Sequence, residues 1–184
     1  MKVIYGGSFN PPTKAHLEIS LKLYENYNIE ELVFLPTANV YLKPDLAPIE
    51  DRIAMLLIMC KHLKNARVSD FEAKMSEYKG TSYTLQHFKG YYFLMGADNF
   101  DYIEKWIDFP NVVINNKFII VPRSDFKLEE KYKSNRYLDM YRDNFLILDF
   151  EKNNISATEF RKTYNNEIVI DEIYEYINKK GLYK

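Results

Sequence analysis

The chain has 184 residues, 47% of them hydrophobic, which fits one compact domain (1–184) whose core needs no disulfides. Its formal net charge of −1 argues against a nucleic-acid partner, because nucleic-acid binding depends on an excess of positive charge. The single cysteine, Cys60, excludes an internal disulfide, and no apolar stretch approaches the length of a membrane span, so we expect a cytoplasmic protein without membrane association.

The sequence predicts short apolar strands that alternate with helices. The strands are expected at 3–5, 32–35, 66–69, 91–95, 118–121 and 145–148. One helix is expected to follow Thr13, a possible N-cap, and to fade at 26–28, and further helices are expected at 51–63 and near 100–106. Nearly continuous apolar strands that alternate with helices predict an α/β fold, a Rossmann-like doubly wound, mostly parallel sheet covered on both faces. Ligands on such sheets bind at the carboxyl ends of the strands.

Two further segments stand out along the chain. The loop 37–48 is long enough to be expected to serve a function. The segment 126–144 is rich in Lys, Glu, Arg and Asp, which is typical of a solvated insertion or an exposed helix.

The segment 6–16 combines a glycine pair, an amide, prolines, a hydroxyl and an imidazole between a strand and a helix. Gly6 and Gly7 let backbone N–H groups approach a phosphate, and the helix N-terminus adds the positive end of a dipole. Thr13 and His16 are three residues apart, so they share a face of the first helical turn and can point at one ligand. Taken singly, each of these residues also has a purely structural interpretation as turn, cap or helix residue.

As one string, this segment resembles the signature of the nucleotidylyltransferase superfamily, and specifically of the nicotinate/nicotinamide mononucleotide adenylyltransferases. Their pattern is Gly-Gly-Ser/Thr-Phe-Asn/Asp-Pro followed by a His/Thr-x-Gly-His box, which corresponds here to 6–11 and 13–16. The box glycine is Ala15 in this chain, a departure at a point where a phosphate would approach the backbone.

A second motif lies near the other end of the chain. The segment 155–161, Ile-Ser-Ala-Thr-Glu-Phe-Arg, resembles the family's Ile-Ser-Ser-Thr-x-x-Arg, with only the second serine changed. Ser156 and Glu159 have by themselves the spacing of a capping box. Arg161, close to a helix N-terminus, is suited to bind the β- and γ-phosphates of ATP.

The middle of the chain extends the resemblance. The turn 96–98, Gly-Ala-Asp, resembles the family's turn that contacts the adenosine ribose. Trp106 resembles the tryptophan that stacks on the pyridine ring, although core packing would also explain it. The tripeptide ending in Thr84 resembles the family's Ser-Tyr-Thr, and Lys43 aligns with the lysine of its Pro-x-His-Lys loop.

The resemblance implies a HIGH-type nucleotidylyltransferase fold and the transfer of the AMP moiety of ATP to nicotinate or nicotinamide mononucleotide, with release of pyrophosphate, in NAD biosynthesis. Such a reaction needs hydrogen-bond donors and cations rather than a nucleophile. We expect Mg²⁺ to be held mainly by the ATP phosphates and predict no metal site made by the protein.

The predicted catalytic residues are His16, Lys43 and Arg161. Predicted to bind ATP are Gly6, Gly7, Ser8, Phe9, Thr13, His16, Gly96, Asp98, Ser156, Thr158 and Arg161, and predicted to bind the mononucleotide are Asn10, Asn39, Lys43, Thr84 and Trp106.

The sequence leaves alternatives open. A phosphopantetheine adenylyltransferase or a cytidylyltransferase would share both terminal motifs, though not the Gly-Ala-Asp turn with its following tryptophan. The replacements at Ala15, Leu42 and Ala157 also fit a nucleotide-binding paralogue without activity. Neither the choice between an acid and an amide on the pyridine ring nor the formation of a homo-oligomer is decided by the sequence.

Overall fold

A computed structural model describes residues 1–37, 46–122, 126–150 and 155–184. All six predicted strands are present within these ranges, with ends that differ from the predicted ones by at most two residues. They are β1 Lys2–Gly7, β2 Glu31–Pro36, β3 Ala66–Val68, β4 Tyr92–Gly96, β5 Lys117–Val121 and β6 Phe145–Ile147.

The helices lie between and after these strands. They are α1 Lys14–Asn26, α2 Ile49–Cys60, α3 Thr81–His87, α4 Ala97–Asp101, α5 Asn111–Ile114, α6 Leu128–Ser134, α7 Arg136–Met140, α8 Ala157–Thr163 and α9 Asp171–Lys180. The helix predicted at 100–106 begins earlier, because Gly96 at the end of β4 is itself the N-cap of α4. After Tyr102 the chain continues as a separate 3-10 helix, Ile103–Lys105.

The strands form one parallel sheet in the order β3-β2-β1-β4-β5-β6. This order confirms the predicted Rossmann-like, doubly wound fold. The chain first adds strands on one side of β1 and then crosses to the other side, so the order reverses between β1 and β4. A crevice for ligands is expected beyond the carboxyl end of β1, where the strand order reverses.

Both faces of the sheet are buried by helices. Since successive residues of a strand point to opposite faces, neighbouring residues belong to different hydrophobic clusters. In β1, Val3 and Tyr5 belong to one hydrophobic cluster and Ile4 to the other. Helices α1, α2 and α9 contribute to the first cluster, whereas α3 to α7 contribute to the second. Strands buried on both faces explain why the sequence shows continuous apolar runs rather than alternation.

The charged segment 126–144 is helical, as one of its two interpretations predicted, but it is not fully solvated. It forms α6 and α7, and Tyr132 and Leu138 are buried in the second hydrophobic cluster. Phe126, Leu128 and Tyr137 pack against the same cluster while partly buried, so the charged residues of the segment mask an apolar side that faces the sheet.

Cys60 is a free cysteine that lies half-buried at the end of α2, and burial raises its pKa to about 11. No helix in the described ranges is long and apolar enough to cross a membrane.

Candidate active site

A first cavity of about 430 Å³ lies between the turn after β1, the beginning of α1 and the beginning of α8. The two terminal motifs of the sequence therefore face each other across one cavity. Its lining residues are Tyr5, Ser8, Asn10, Thr13, Ala15, His16, Ile19, Leu46, Ile155, Ser156, Ala157, Thr158 and Arg161.

His16 is oriented in this cavity by Thr13. The Thr13 backbone N–H donates to His16 Nδ1 at 2.9 Å, and the Thr13 hydroxyl lies 2.8 Å from the same nitrogen. A ring nitrogen that accepts from a backbone N–H carries no proton, so in the neutral ring the proton is on Nε2. Burial lowers the pKa of His16 to about 4, although part of the ring remains accessible from the cavity. His16 can therefore donate an N–H to an anion while remaining uncharged at neutral pH.

The Phe9 side chain packs against the His16 ring. The Phe9 ring lies edge-on to the His16 ring with 5.1 Å between centroids, and the side chain is only 1% exposed. Phe9 was predicted to bind ATP, but its side chain is part of the core. A contact with ATP at this position would have to come from the backbone, and that role stays a prediction.

Arg161 links the two terminal motifs directly. Its Nη1 donates to the backbone oxygen of Asn10 at 2.6 Å, and its Nη2 lies 3.4 Å from the Thr158 hydroxyl. Among the described residues these contacts use two of the five N–H donors of a guanidinium group. The Ser156 hydroxyl caps α8 by accepting from the Glu159 N–H at 3.1 Å, as its spacing predicted.

Asn10 holds the turn after β1 in place. Its Oδ1 accepts from the Ala47 N–H and from the Tyr183 hydroxyl, both at 2.9 Å, and its side chain is buried. Asn10 was predicted to bind the mononucleotide, yet it lines the first cavity, next to Arg161. Its predicted contact with the mononucleotide is not tested by these bonds.

Arg52 is a structural residue that the sequence reasoning missed. It is fully buried in α2 and donates to the backbone oxygens of Ser8, Thr37 and Ala47. These bonds tie the turn after β1 to the end of β2. The signal that could have identified it is its helical spacing to the apolar residues Met55, Leu56 and Met59, which places an arginine on the buried face.

A second cavity of about 400 Å³ lies on the other side of the β1 terminus, towards β4. Its lining residues are Gly6, Gly7, Ser8, Thr37, Glu72, Tyr78, Thr81, Phe93, Asn99 and Trp106. Ser8 lines both cavities, so they meet at the turn after β1. A Cβ atom on Gly6 would come within 2.7 Å of the Phe93 ring, so any side chain at this position would require that ring to move.

The position of Trp106 is compatible with both interpretations that the sequence left open, and its stacking on a pyridine ring stays a prediction. Its indole packs edge-on against Phe93, with centroids 6.1 Å apart, and against Phe118, with centroids 6.4 Å apart. The same side chain is only half-buried and lines the second cavity. One side of the ring therefore contributes to the core, and another is accessible to a ligand.

Several predicted site residues lie away from the cavity walls. Gly96 and Asp98, at the junction of β4 and α4, line neither of these two cavities. Thr84 is buried in α3, and its hydroxyl donates to Glu72 Oε1 at 2.8 Å. Asn39 and Lys43 belong to 38–45, which lies outside the described residues.

The sequence reasoning missed several polar residues of the second cavity. Thr37 follows β2, Glu72 lies a few residues after β3, and Asn99 lies shortly after β4. All three lie beyond carboxyl ends of strands, where ligands bind on such sheets. That rule, applied to every predicted strand and not only to those with glycine turns, would have identified them.

The first cavity offers oxygen atoms but no carboxylate within the described ranges. No group of three or more His, Cys, Asp or Glu residues that could hold a metal ion occurs in the same ranges. Hydroxyl and amide oxygens suit a hard cation that keeps part of its water shell. The Mg²⁺ ion expected to arrive with ATP stays a prediction, which these oxygen atoms would allow.

Comparisons with known proteins identify the family and the fold of this chain. The model of the family described as "Cytidylyltransferase-like" matches residues 4–163. A curated relative from Clostridium acetobutylicum, named "Probable nicotinate-nucleotide adenylyltransferase", is 32% identical over 99% of this chain and 98% of its own length. Two solved structures of the nicotinic acid mononucleotide adenylyltransferase of Plasmodium falciparum have the same fold. The structure complexed with APC has a TM-score of 0.75 and 24% sequence identity to this chain. The structure complexed with NaAD has a TM-score of 0.72 and 25% sequence identity. Each comparison covers 99% of this chain and 96% of the Plasmodium chain.

Proposed function

The chain belongs to the nicotinate-nucleotide adenylyltransferases of the cytidylyltransferase-like family, and we propose that its two cavities divide the substrates between them. It transfers the AMP moiety of ATP to nicotinate mononucleotide in NAD biosynthesis. ATP occupies the first cavity and the mononucleotide the second. The observation that carries this assignment is the meeting of the two cavities at Ser8.

The first cavity has the groups that a triphosphate requires. Arg161, in the last turn of the short helix α8, provides a planar, permanently charged fork for phosphate oxygens and lines the cavity together with the N-cap Ser156. His16 adds a neutral N–H donor, which is available because Thr13 occupies the other ring nitrogen. We assign the β- and γ-phosphates to Arg161 and a hydrogen bond with the reacting phosphate to His16.

The second cavity has the groups that a pyridine mononucleotide requires. Trp106 and Tyr78 give it aromatic surface for the pyridine ring. The backbone of Gly6 and Gly7 is accessible at the end next to the first cavity, where the mononucleotide phosphate must lie to react. This orientation places the nucleophile and the triphosphate on the two sides of Ser8.

The chemistry follows from holding the two phosphates together. An oxygen of the mononucleotide phosphate attacks the α-phosphorus of ATP in line, and pyrophosphate leaves from the opposite side, so no covalent enzyme intermediate is required. Arg161 and His16 stabilise the negative charge as it spreads. Mg²⁺, when bound with ATP, neutralises phosphate charge. The role of Lys43 remains a prediction for the segment 38–45.

We extend the proposal to the location of the protein. A cytoplasmic enzyme is consistent with the single, half-buried Cys60, which needs no oxidising compartment. The net charge of −1 gives no general support for a nucleic-acid partner.

An assay of pyrophosphate release, with nicotinate mononucleotide and nicotinamide mononucleotide offered separately with ATP, tests this function. We expect release with the nicotinate substrate at a kcat/KM well above that with the amide. Binding of ATP without any pyrophosphate release would instead identify a nucleotide-binding paralogue. Preference for a phosphopantetheine or cytidine substrate would reject the assignment of the second cavity.

A further inference from the structure

Glu72 is a buried carboxyl group in the wall of the second cavity. It lies in the turn that follows β3, is 7% exposed and lines the cavity together with Thr81 and Trp106. Among the described residues that line this cavity, Glu72 is the only Asp, Glu, Lys or Arg. A carboxylate in the binding site of an anionic substrate needs an explanation.

The hydrogen bonds of Glu72 leave acceptor capacity unused. Thr84 donates its hydroxyl to Oε1 at 2.8 Å, and no other polar partner of the carboxyl group occurs among the described residues. Burial raises the pKa of Glu72, and the Thr84 hydrogen bond opposes that shift. An ionised carboxylate can accept several hydrogen bonds, and burying it with one donor is costly. The arrangement is typical of a group that is completed by a ligand.

The chemistry of the substrate restricts which of its groups can face Glu72; this step rests on the proposed function. The phosphate and the pyridine carboxylate are anions, and a carboxylate beside either would repel it. The ribose hydroxyl groups are donors, and the ribose is bonded to the positively charged ring nitrogen. The ribose is therefore the part of nicotinate mononucleotide for which a carboxylate is a suitable partner.

We propose that Glu72 binds the ribose of the mononucleotide by accepting a hydrogen bond from one of its hydroxyl groups, while Thr84 orients the carboxyl group from behind. The pyridine ring then lies against Trp106, and the phosphate extends towards Gly6 and Gly7. Glu72 thereby fixes the distance between the ring and the reacting phosphate. Thr84, which does not line the cavity, acts on the substrate through Glu72.

The first test is the substitution Glu72→Gln, which keeps the size of the side chain and removes its charge. A hydrogen bond to a charged group is strong enough that we expect the Kd for nicotinate mononucleotide, measured by calorimetric titration, to rise roughly tenfold. The KM for ATP and the midpoint of unfolding should stay close to wild type, because the amide can still accept from Thr84. The matched control is Asp70→Asn, an exposed carboxylate in the same turn whose carboxyl group is paired with Lys74 and which lies outside the second cavity.

The second test uses nicotinate mononucleotides that lack either the 2′- or the 3′-hydroxyl group. Wild type should bind one of these analogues about tenfold more weakly than the full substrate, whereas Glu72→Gln should show little additional loss for the same analogue. Equal losses in both proteins, or an unchanged Kd in Glu72→Gln, would overturn the proposal. So would a variant whose preference shifts to nicotinamide mononucleotide without any change towards the deoxy analogues, because Glu72 would then face the ring substituent.

These results also separate this inference from the proposed function. If wild type binds nicotinate mononucleotide and releases pyrophosphate, but Glu72→Gln behaves like wild type, only the role of Glu72 is wrong. If wild type neither binds nor converts nicotinate mononucleotide, the proposed function and the role of Glu72 both fail.

Discussion

The first and second cavities meet at one turn but are built in opposite ways. The first is lined mainly by two continuous motifs, within 8–19 and 155–161, whereas the second takes residues from turns after several different strands. The first contains an arginine, a neutral histidine and no carboxylate among its described residues, and the second contains a buried glutamate and aromatic rings. Phosphates can be bound by backbone N–H groups and a few donors that one motif supplies, whereas a flat ring and a ribose need walls from separate elements.

The largest expected effect is the loss of activity on removing the imidazole of His16 from the first cavity. We expect His16→Ala to keep the fold and to lower kcat by about a hundredfold or more, the usual loss for a donor that stabilises charge in the transition state. The matched control is His62→Ala, because His62 is an accessible histidine that lines neither of these cavities. A folded His16→Ala protein with the kcat of wild type would remove His16 from the reaction.

The next effect in size concerns Arg161. We expect Arg161→Ala to raise the KM for ATP by about tenfold to a hundredfold, since a hydrogen bond to a charged group contributes about 1.5–3 kcal/mol. Arg161→Lys should rescue only part of the loss, because lysine lacks the planar fork. Lys162→Ala, a change at the exposed neighbour in α8, serves as the control. Complete rescue by lysine would show that a point charge is sufficient.

Of the two substrates, Trp106→Ala should weaken the binding of only the one assigned to the second cavity. We expect weaker binding of nicotinate mononucleotide by about 1–3 kcal/mol, by analogy with base stacking on aromatic side chains, and little change in the KM for ATP. Some stability should also be lost, because the ring packs against Phe93 and Phe118. Phe118→Leu, at a buried position that does not line the cavity, should lose stability and keep mononucleotide affinity. Lost stability with intact affinity in Trp106→Ala would reject the stacking role.

The pH dependence of folding stability should also report on the first cavity. The pKa of His16 is lowered to about 4 in the folded protein, against about 6.5 in the unfolded chain. Between these values the unfolded chain binds a proton that the folded protein does not, so stability is lost as the pH falls from about 6.5 towards 4. Denaturant titrations across that window should give a shallower pH dependence for His16→Gln than for wild type. Equal slopes would mean that His16 is not held neutral.

The fold could be predicted from the sequence because its signals are local. Each strand is a continuous apolar run, and β1 and β4 end in glycine, so the parallel sheet followed from patterns within a few residues. The segment 126–144 was harder, since two buried positions, Tyr132 and Leu138, are hidden among charges. Whether an isolated apolar residue reaches the core depends on tertiary packing, which local patterns do not encode.

The candidate site was predictable only where it is contiguous. The motif residues Thr13, His16, Ser156 and Arg161 all line the first cavity; spacing suggested a shared face for Thr13 and His16, and the family resemblance added the other two. Glu72 is brought to the second cavity by the turn after β3 and is recognisable only once its neighbours in space are known. Thr84 shows the same limit, because its hydroxyl serves Glu72 rather than the cavity.

A fluorescence titration of the single tryptophan tests the division of substrates between the two cavities most directly. Trp106 lines the second cavity and not the first, so its emission reports on ligands there. We expect nicotinate mononucleotide to quench this emission in a saturable way, and ATP at saturating concentration to leave it nearly unchanged. Quenching by ATP alone, with no response to the mononucleotide, would contradict the assignment of the cavities.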